Sequence, residues 1–227
     1  MITTGMLLIR VLSFYTFRTF YFKNMIFYRL KDRNRSELMK QKLSEAIEYN
    51  PIIAAVKDME GLEKCCGLED VKVIFTLFGD ICSIESIVKK IKDAGKIAIV
   101  HMDLIVGLSS KEVAVDFLKE NTMLDGIITT KPLLIHRAKE LGLIAILRYF
   151  LIDSLALSNI RTQQKTVRPD YIEVLPGVMP KIIKNICAFS KAPVIAGGLI
   201  DDRESVMAAL SAGAVAVSTT TSDVWSM

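Results

Sequence analysis

PVIAGGLIDDRESVMAALSAGAVAVSTT, residues 193–220, contains two short apolar runs, PVIAG (193–197) and AVAVS (214–218), joined by a stretch that reads as a helix. Neither run alternates apolar with polar residues. Uninterrupted runs of this length suit parallel strands buried on both faces, and a strand, helix, strand order is the unit from which a parallel sheet is built.

Six further runs precede these two: IIAAV (52–56), VIFTLF (73–78), IAIVHM (97–102), GIIT (126–129), LIAILRYF (143–150) and YIEVL (171–175). The stretches between them carry helical periodicity. In SIESIVKKIKDAGK (83–96), Ile84, Ile87, Val88 and Ile91 share one face, and Gly95 stands where a helix should stop. Residues 111–119, 133–141 and 180–189 behave likewise. Eight such repeats allow a sheet to close, which predicts an α/β fold, a (β/α)₈ barrel of the TIM type in one domain over residues 39–227. An open doubly wound sheet is the alternative, but it would usually carry a G-x-G-x-x-G or P-loop signature, and neither is present.

Ahead of the first run, Met39, Leu43, Ala46 and Ile47 have the spacing of an amphipathic helix that begins at Ser36 and ends at Asn50 and Pro51. Residues 1–38 read as a non-barrel extension, basic and rich in aromatics. Arg10, Arg18, Lys23 and Arg29 interrupt its apolar stretches, so an integral span of about 20 apolar residues is not expected. A secretory leader is not expected either, for want of a continuous apolar core and a small-residue cleavage site. The remaining readings are a surface-lying amphipathic arm, a partner-binding arm, or a start site assigned upstream of Met39.

Charge is distributed unevenly along the chain. The formal net charge is +4, yet residues 1–42 alone contribute +7, leaving −3 for the rest. A mildly acidic body has no global electrostatic footprint for nucleic acid, so any such partner needs a local basic patch. Lys89, Lys90, Lys92 and Lys96, or Arg161, Lys165 and Arg168, could form one, with an ordinary solvated helix face as the alternative. Cys65, Cys66, Cys82 and Cys187 form no C-x-x-C pair and lie near no histidine, which points to reduced thiols and a cytoplasmic protein.

In this fold, functional groups sit at the C-terminal ends of the strands, and a phosphate is commonly held by the loops after strands seven and eight. Gly197 and Gly198 end the seventh run and keep no side chain between backbone and anion. Ser218, Thr219 and Thr220 end the eighth and add hydroxyl donors, and Thr221, Ser222 and Asp223 could cap a terminal helix through Trp225. A phosphate grip at Gly197, Gly198, Ser218 and Thr219 is therefore expected, although a glycine pair alone could be only a turn. Asp103, Lys131, Arg148, Glu173 and Gly177 fall at other strand ends, where they could contact ligand hydroxyls or, for the charged ones, pair with each other. His101 lies in an apolar run and reads as a core histidine or a general base. Asp80 and Asp103 lack further ligands, so no metal is expected.

HMDLIVGLSSKE (101–112), DSLAL (153–157), PDYIEVLPGVMPKI (169–182), PVIAGGLI (193–200) and GAVAVSTT with VW close behind (213–225) resemble the glycerol uptake operon antiterminator regulatory proteins of Gram-positive bacteria. The resemblance covers about residues 50–227, and the extension before Met39 has no counterpart in it. It implies a regulator without catalytic residues or cofactor. Its effector would be the small phosphorylated ligand glycerol 3-phosphate, and its partner the leader mRNA of glycerol-metabolism genes, so that transcription reads through a terminator. A barrel enzyme acting on a small sugar or triose phosphate is the competing reading, because fold alone does not exclude it. Oligomeric state is left open, a homo-oligomer included.

Overall fold

The computed structural model describes residues 36–227. The extension predicted over residues 1–38 therefore lies almost wholly outside the described residues. Residues 36–49 are helical (α1), as the Met39, Leu43, Ile47 spacing predicts. There follow β1 (Ile52–Val56), α2 (Met59–Gly67), β2 (Val73–Thr76), α3 (Ile84–Asp93), β3 (Ile97–His101), a 3₁₀ turn (Met102–Leu104), α4 (Glu112–Asn121), β4 (Gly126–Thr129), α5 (Pro132–Glu140) and β5 (Ile144–Phe150). The series finishes with α6 (Ser154–Gln163), β6 (Tyr171–Leu175), α7 (Pro180–Phe189), β7 (Val194–Gly197), α8 (Arg203–Ser211) and β8 (Ala216–Thr219).

All eight strands pair in parallel with their sequence neighbours, and β8 returns to β1 through Ile53 opposite Ser218, closing the barrel. The predicted runs match the strands to within two residues. Two-residue offsets occur at the second run, whose strand ends at Thr76, and at the eighth, where the strand begins at Ala216 because the chain is still leaving the turn around Gly213, which sits at φ +104°.

Strand alternation divides the core in two. Ile53, Val73, Phe75, Ile99, Ile128, Ile144, Ile146, Tyr171, Ile195 and Ala216 fill the barrel, and Leu43 and Ile47 of α1 join them. Helix α1 therefore plugs the end where the strands begin. The intervening residues of each strand pack against the encircling helices. Gly126 opens β4 because a side chain there would meet the backbone oxygen of Ile144 at 2.6 Å.

Carboxylates placed just before strands pin the plugged end. Asp125 accepts the N–H of Ala98 at 2.8 Å and pairs with Lys92, while Asp170 accepts the N–H of Ala145 at 3.0 Å and pairs with Lys40 of α1. With that end closed, the opposite one remains as the place for a site.

Candidate functional site at the open end of the barrel

Strand alternation sends Arg148, Glu173 and Ser218 toward the barrel axis, just above the last apolar layer. Glu173 is fully buried, and Arg148 lies opposite it in the β5–β6 register. The Arg148 Nε–H donates to Glu173 Oε2, and the Ser218 hydroxyl donates to Oε1 at 2.5 Å. Above this group opens a cavity of about 370 Å³, lined also by Leu175, Gly198, Leu199 and Thr219–Thr221.

The glycine pair takes two different roles. A Cβ at Gly197 would lie 2.6 Å from Ser218 Oγ and 2.7 Å from Glu173 Oε1, so this glycine makes room for the buried carboxylate. Gly198 has φ +75° and Leu199 has φ +61°, so the loop after β7 turns through the left-handed region twice in succession. Leu199 is 73% exposed, an apolar side chain on the rim of the cavity. Gly177 lies behind this loop, donating its N–H to the Gly198 carbonyl at 2.9 Å, next to a cis Leu175–Pro176 peptide.

The predicted hydroxyl donors are mostly engaged elsewhere. Thr219 points away from the barrel axis, donates to the Ile200 carbonyl at 2.5 Å and accepts the Thr221 N–H at 3.0 Å, so it ties the eighth loop to the seventh. The N-terminus of α8 is capped by its own Asp202, which accepts the Ser205 N–H at 2.7 Å. Thr220 is exposed on the cavity rim and, among the described residues, its hydroxyl makes no hydrogen bond. The terminal helix predicted through Trp225 is instead a run of turns, held where the indole N–H donates to the Thr219 carbonyl at 2.8 Å.

A second polar cluster stands across the mouth. Asp103 accepts from the Thr129 hydroxyl at 2.9 Å, the Thr130 N–H at 2.7 Å, the Thr130 hydroxyl at 2.8 Å and Lys131 Nζ at 3.2 Å. Burial works against its charge, yet these donors, led by those of Thr130, hold the carboxyl below the ordinary range. Lys131 also donates to Ser110 Oγ at 2.5 Å. The four charged mouth residues thus form two internal pairs, Arg148 with Glu173 and Asp103 with Lys131, of which only the first lines the cavity.

His101 is 3% exposed, with a buried Nδ1 that has no hydrogen-bond partner. Burial first, and then the charge of Arg148, pull its pKa down to about 4, so it is neutral at physiological pH. Asp80 closes its own turn by accepting the Cys82 and Ser83 N–H groups, both at 2.8 Å. Among the described residues, no three His, Cys, Asp or Glu side chains come together as a metal site.

Residues 52–225 match the family model described as glycerol-3-phosphate responsive antiterminator. The chain belongs to this family. The glycerol uptake operon antiterminator regulatory protein of Listeria monocytogenes str. 4b F2365 is 35% identical, with a TM-score of 0.75 over 78% of this chain and 95% of that one. An antiterminator-related protein of Thermotoga maritima MSB8 is 36% identical, with a TM-score of 0.70 over 79% and 99%. YgcP of Escherichia coli K12, an uncharacterised protein, is 45% identical over 82% of this chain and 96% of its own length. Among the described residues of this family member, no helix is long and apolar enough to cross a membrane.

Proposed function

We propose that the chain is a cytoplasmic, non-catalytic sensor that binds glycerol 3-phosphate in the open-end cavity and thereby controls binding to the leader mRNA of glycerol-metabolism genes. The observation that carries this reading is the construction of the cavity. A left-handed Gly198–Leu199 loop and the exposed Thr220 form its rim, and the buried Arg148–Glu173–Ser218 group forms its floor.

The phosphate would rest on the backbone of Gly198 and Thr220, with Gly197, Ser218 and Thr219 shaping the seat. Glycerol hydroxyls would reach the floor, where Arg148 offers donors and Glu173 offers acceptors. Asp103, Lys131 and Gly177 would act from behind or across the mouth. The description of the family as glycerol-3-phosphate responsive supports the choice of effector.

Turnover of the ligand would need an acid or base free to move a proton at the bound molecule. Among the described residues, Glu173, Asp103 and Lys131 are each bonded to an opposite charge, and His101 is buried and neutral. A ligand can shift the two states of a sensor only if it binds them unequally. Mobility shift of the leader RNA should therefore change on adding glycerol 3-phosphate, while the ligand is recovered unconsumed. Steady consumption of the ligand, or RNA binding indifferent to it, would sink this reading.

A further inference from the structure

Helices α6 and α7 form a wall of the barrel unlike the others. Residues 154–191 hold six Lys or Arg: Arg161, Lys165, Arg168, Lys181, Lys184 and Lys191. All six side chains are exposed. The stretch has two acids, Asp170 and Glu173, and both are withdrawn from the surface. The Asp170 side chain is 6% exposed and held by Lys40 and Lys139, and Glu173 is fully buried with Arg148. Neither α6 nor α7 contains an acidic residue.

The contrast with the walls formed by α2 to α5 is one of pairing. On α2 to α5 the cations meet partners: Lys90 with Glu63, Lys89 with Asp93, Lys92 with Asp125, and Arg137 with Asp116 and Glu140. Among the described residues, none of the six cations on the α6–α7 wall enters an ion pair. A solvated face on an acidic body normally mixes both signs. Here a +4 segment stands in a chain whose other residues from 43 onward sum to −7.

The two helices meet at Arg161. Arg161 donates to Asn185 Oδ1 at 3.4 Å and lies over the Phe189 ring at 4.3 Å from its centroid. Cations with an interposed aromatic and a guanidinium plane suit single-stranded RNA, whose phosphates bind cations and whose splayed bases stack on such planes.

From these observations we infer that the α6–α7 wall is the RNA-docking face. The inference rests on the antiterminator reading above and assigns it a surface. The wall is also joined to the effector loop. The segment leading into α7 carries Gly177, whose N–H is bonded to Gly198, so a ligand that moves the loop after β7 acts directly on the α7 end of the basic face.

The test uses the full chain and the labelled 5′ leader transcript of a glycerol uptake operon, with anisotropy followed across a salt series. Lys181→Glu/Lys184→Glu should weaken binding at least tenfold. It should also flatten the dependence of log K on log salt by about 1.4, since each lost single-strand phosphate contact removes about 0.7. Lys42→Glu/Lys111→Glu, equal in charge change but on other elements, should alter affinity less than twofold. Retained thermal stabilisation by glycerol 3-phosphate in both variants would show that the fold is intact. Equal losses in the two variants, or no loss in the first, overturn the assigned face while leaving the regulator reading standing. Absence of RNA binding by the unmodified chain removes both. If the first variant loses adsorption to phosphatidylglycerol vesicles but keeps RNA binding, the face belongs to a membrane and the inference fails.

Discussion

Glu173 on β6 occupies the space that a side chain on Gly197 of β7 would need: its Oε1 lies 2.7 Å from the position of a Cβ there. A buried ion pair and a glycine on the neighbouring strand are thus one device. Gly197→Ala should displace Glu173 and Ser218 together. Overpacking of this kind costs roughly 1–3 kcal/mol. Urea unfolding should show that loss, with weakened stabilisation by glycerol 3-phosphate in the same protein.

Removal of one member of the Arg148–Glu173 pair should be worse than removal of both. Arg148→Met leaves an uncompensated carboxylate at full burial, a change that typically costs about 3–5 kcal/mol, whereas apolar replacement of both partners is often close to neutral. Arg148→Met/Glu173→Leu should therefore recover most of the stability lost in Arg148→Met. Ligand-induced thermal stabilisation should stay absent in both, which separates the structural role of the pair from its role as cavity floor.

Stability should fall in mildly acid solution because of His101. Its pKa in the fold is pulled down to about 4 from an ordinary 6.5, so between these values the unfolded chain binds the proton and the folded one does not. The contribution is complete above pH 6.5, decreases as pH falls toward 4, and amounts to about 3 kcal/mol over that window. Chemical denaturation of His101→Gln and the unmodified chain across this range should show a shallower pH slope in the variant; identical slopes would refute the assignment.

Leu199 adopts φ +61° without being a glycine, a conformation that costs a non-glycine residue about 1–2 kcal/mol. Leu199→Gly should relieve that strain in the fold, and its greater freedom when unfolded will offset part of the gain. Gly198→Val, at φ +75° and with Leu175 Cδ2 3.1 Å from the new Cβ, should be clearly destabilising and should abolish the ligand response. Comparison of the two thermal shifts, each with and without glycerol 3-phosphate, checks both.

Leu43 of α1 is fully buried among the barrel-filling side chains. Leu43→Ala should cost about 2–5 kcal/mol by leaving a cavity at the plugged end. The effector cavity lies at the other end of the strands, so ligand affinity in the folded fraction should be unchanged when measured by calorimetry.

The barrel was legible because strand and helix periods are local. Runs such as IIAAV and YIEVL are recognisable as buried strands, β1 and β6, from their own residues alone. The strand-end rule placed Arg148, Glu173, Gly198 and Ser218 around one cavity. The Thr219 hydroxyl, grouped with that of Ser218 in the sequence, faces the other side of β8, where it donates to the Ile200 carbonyl and accepts the Thr221 N–H.

The order of elements, the eight repeats that allow a sheet to close and the set of polar strand ends are properties of the sequence by itself, since each depends on residue types a few positions apart, and the family is legible in segments spread along it. Only the tertiary structure decided how those polar ends are used. It pairs Asp103 with Lys131 and Arg148 with Glu173, directs the Ser218 hydroxyl to Glu173, and, among the described residues, gives the cations of α6 and α7 no ion pair. Such pairings join residues 25 to 45 positions apart, and inter-strand register and side-chain direction, which no local pattern encodes, bring them within hydrogen-bond range.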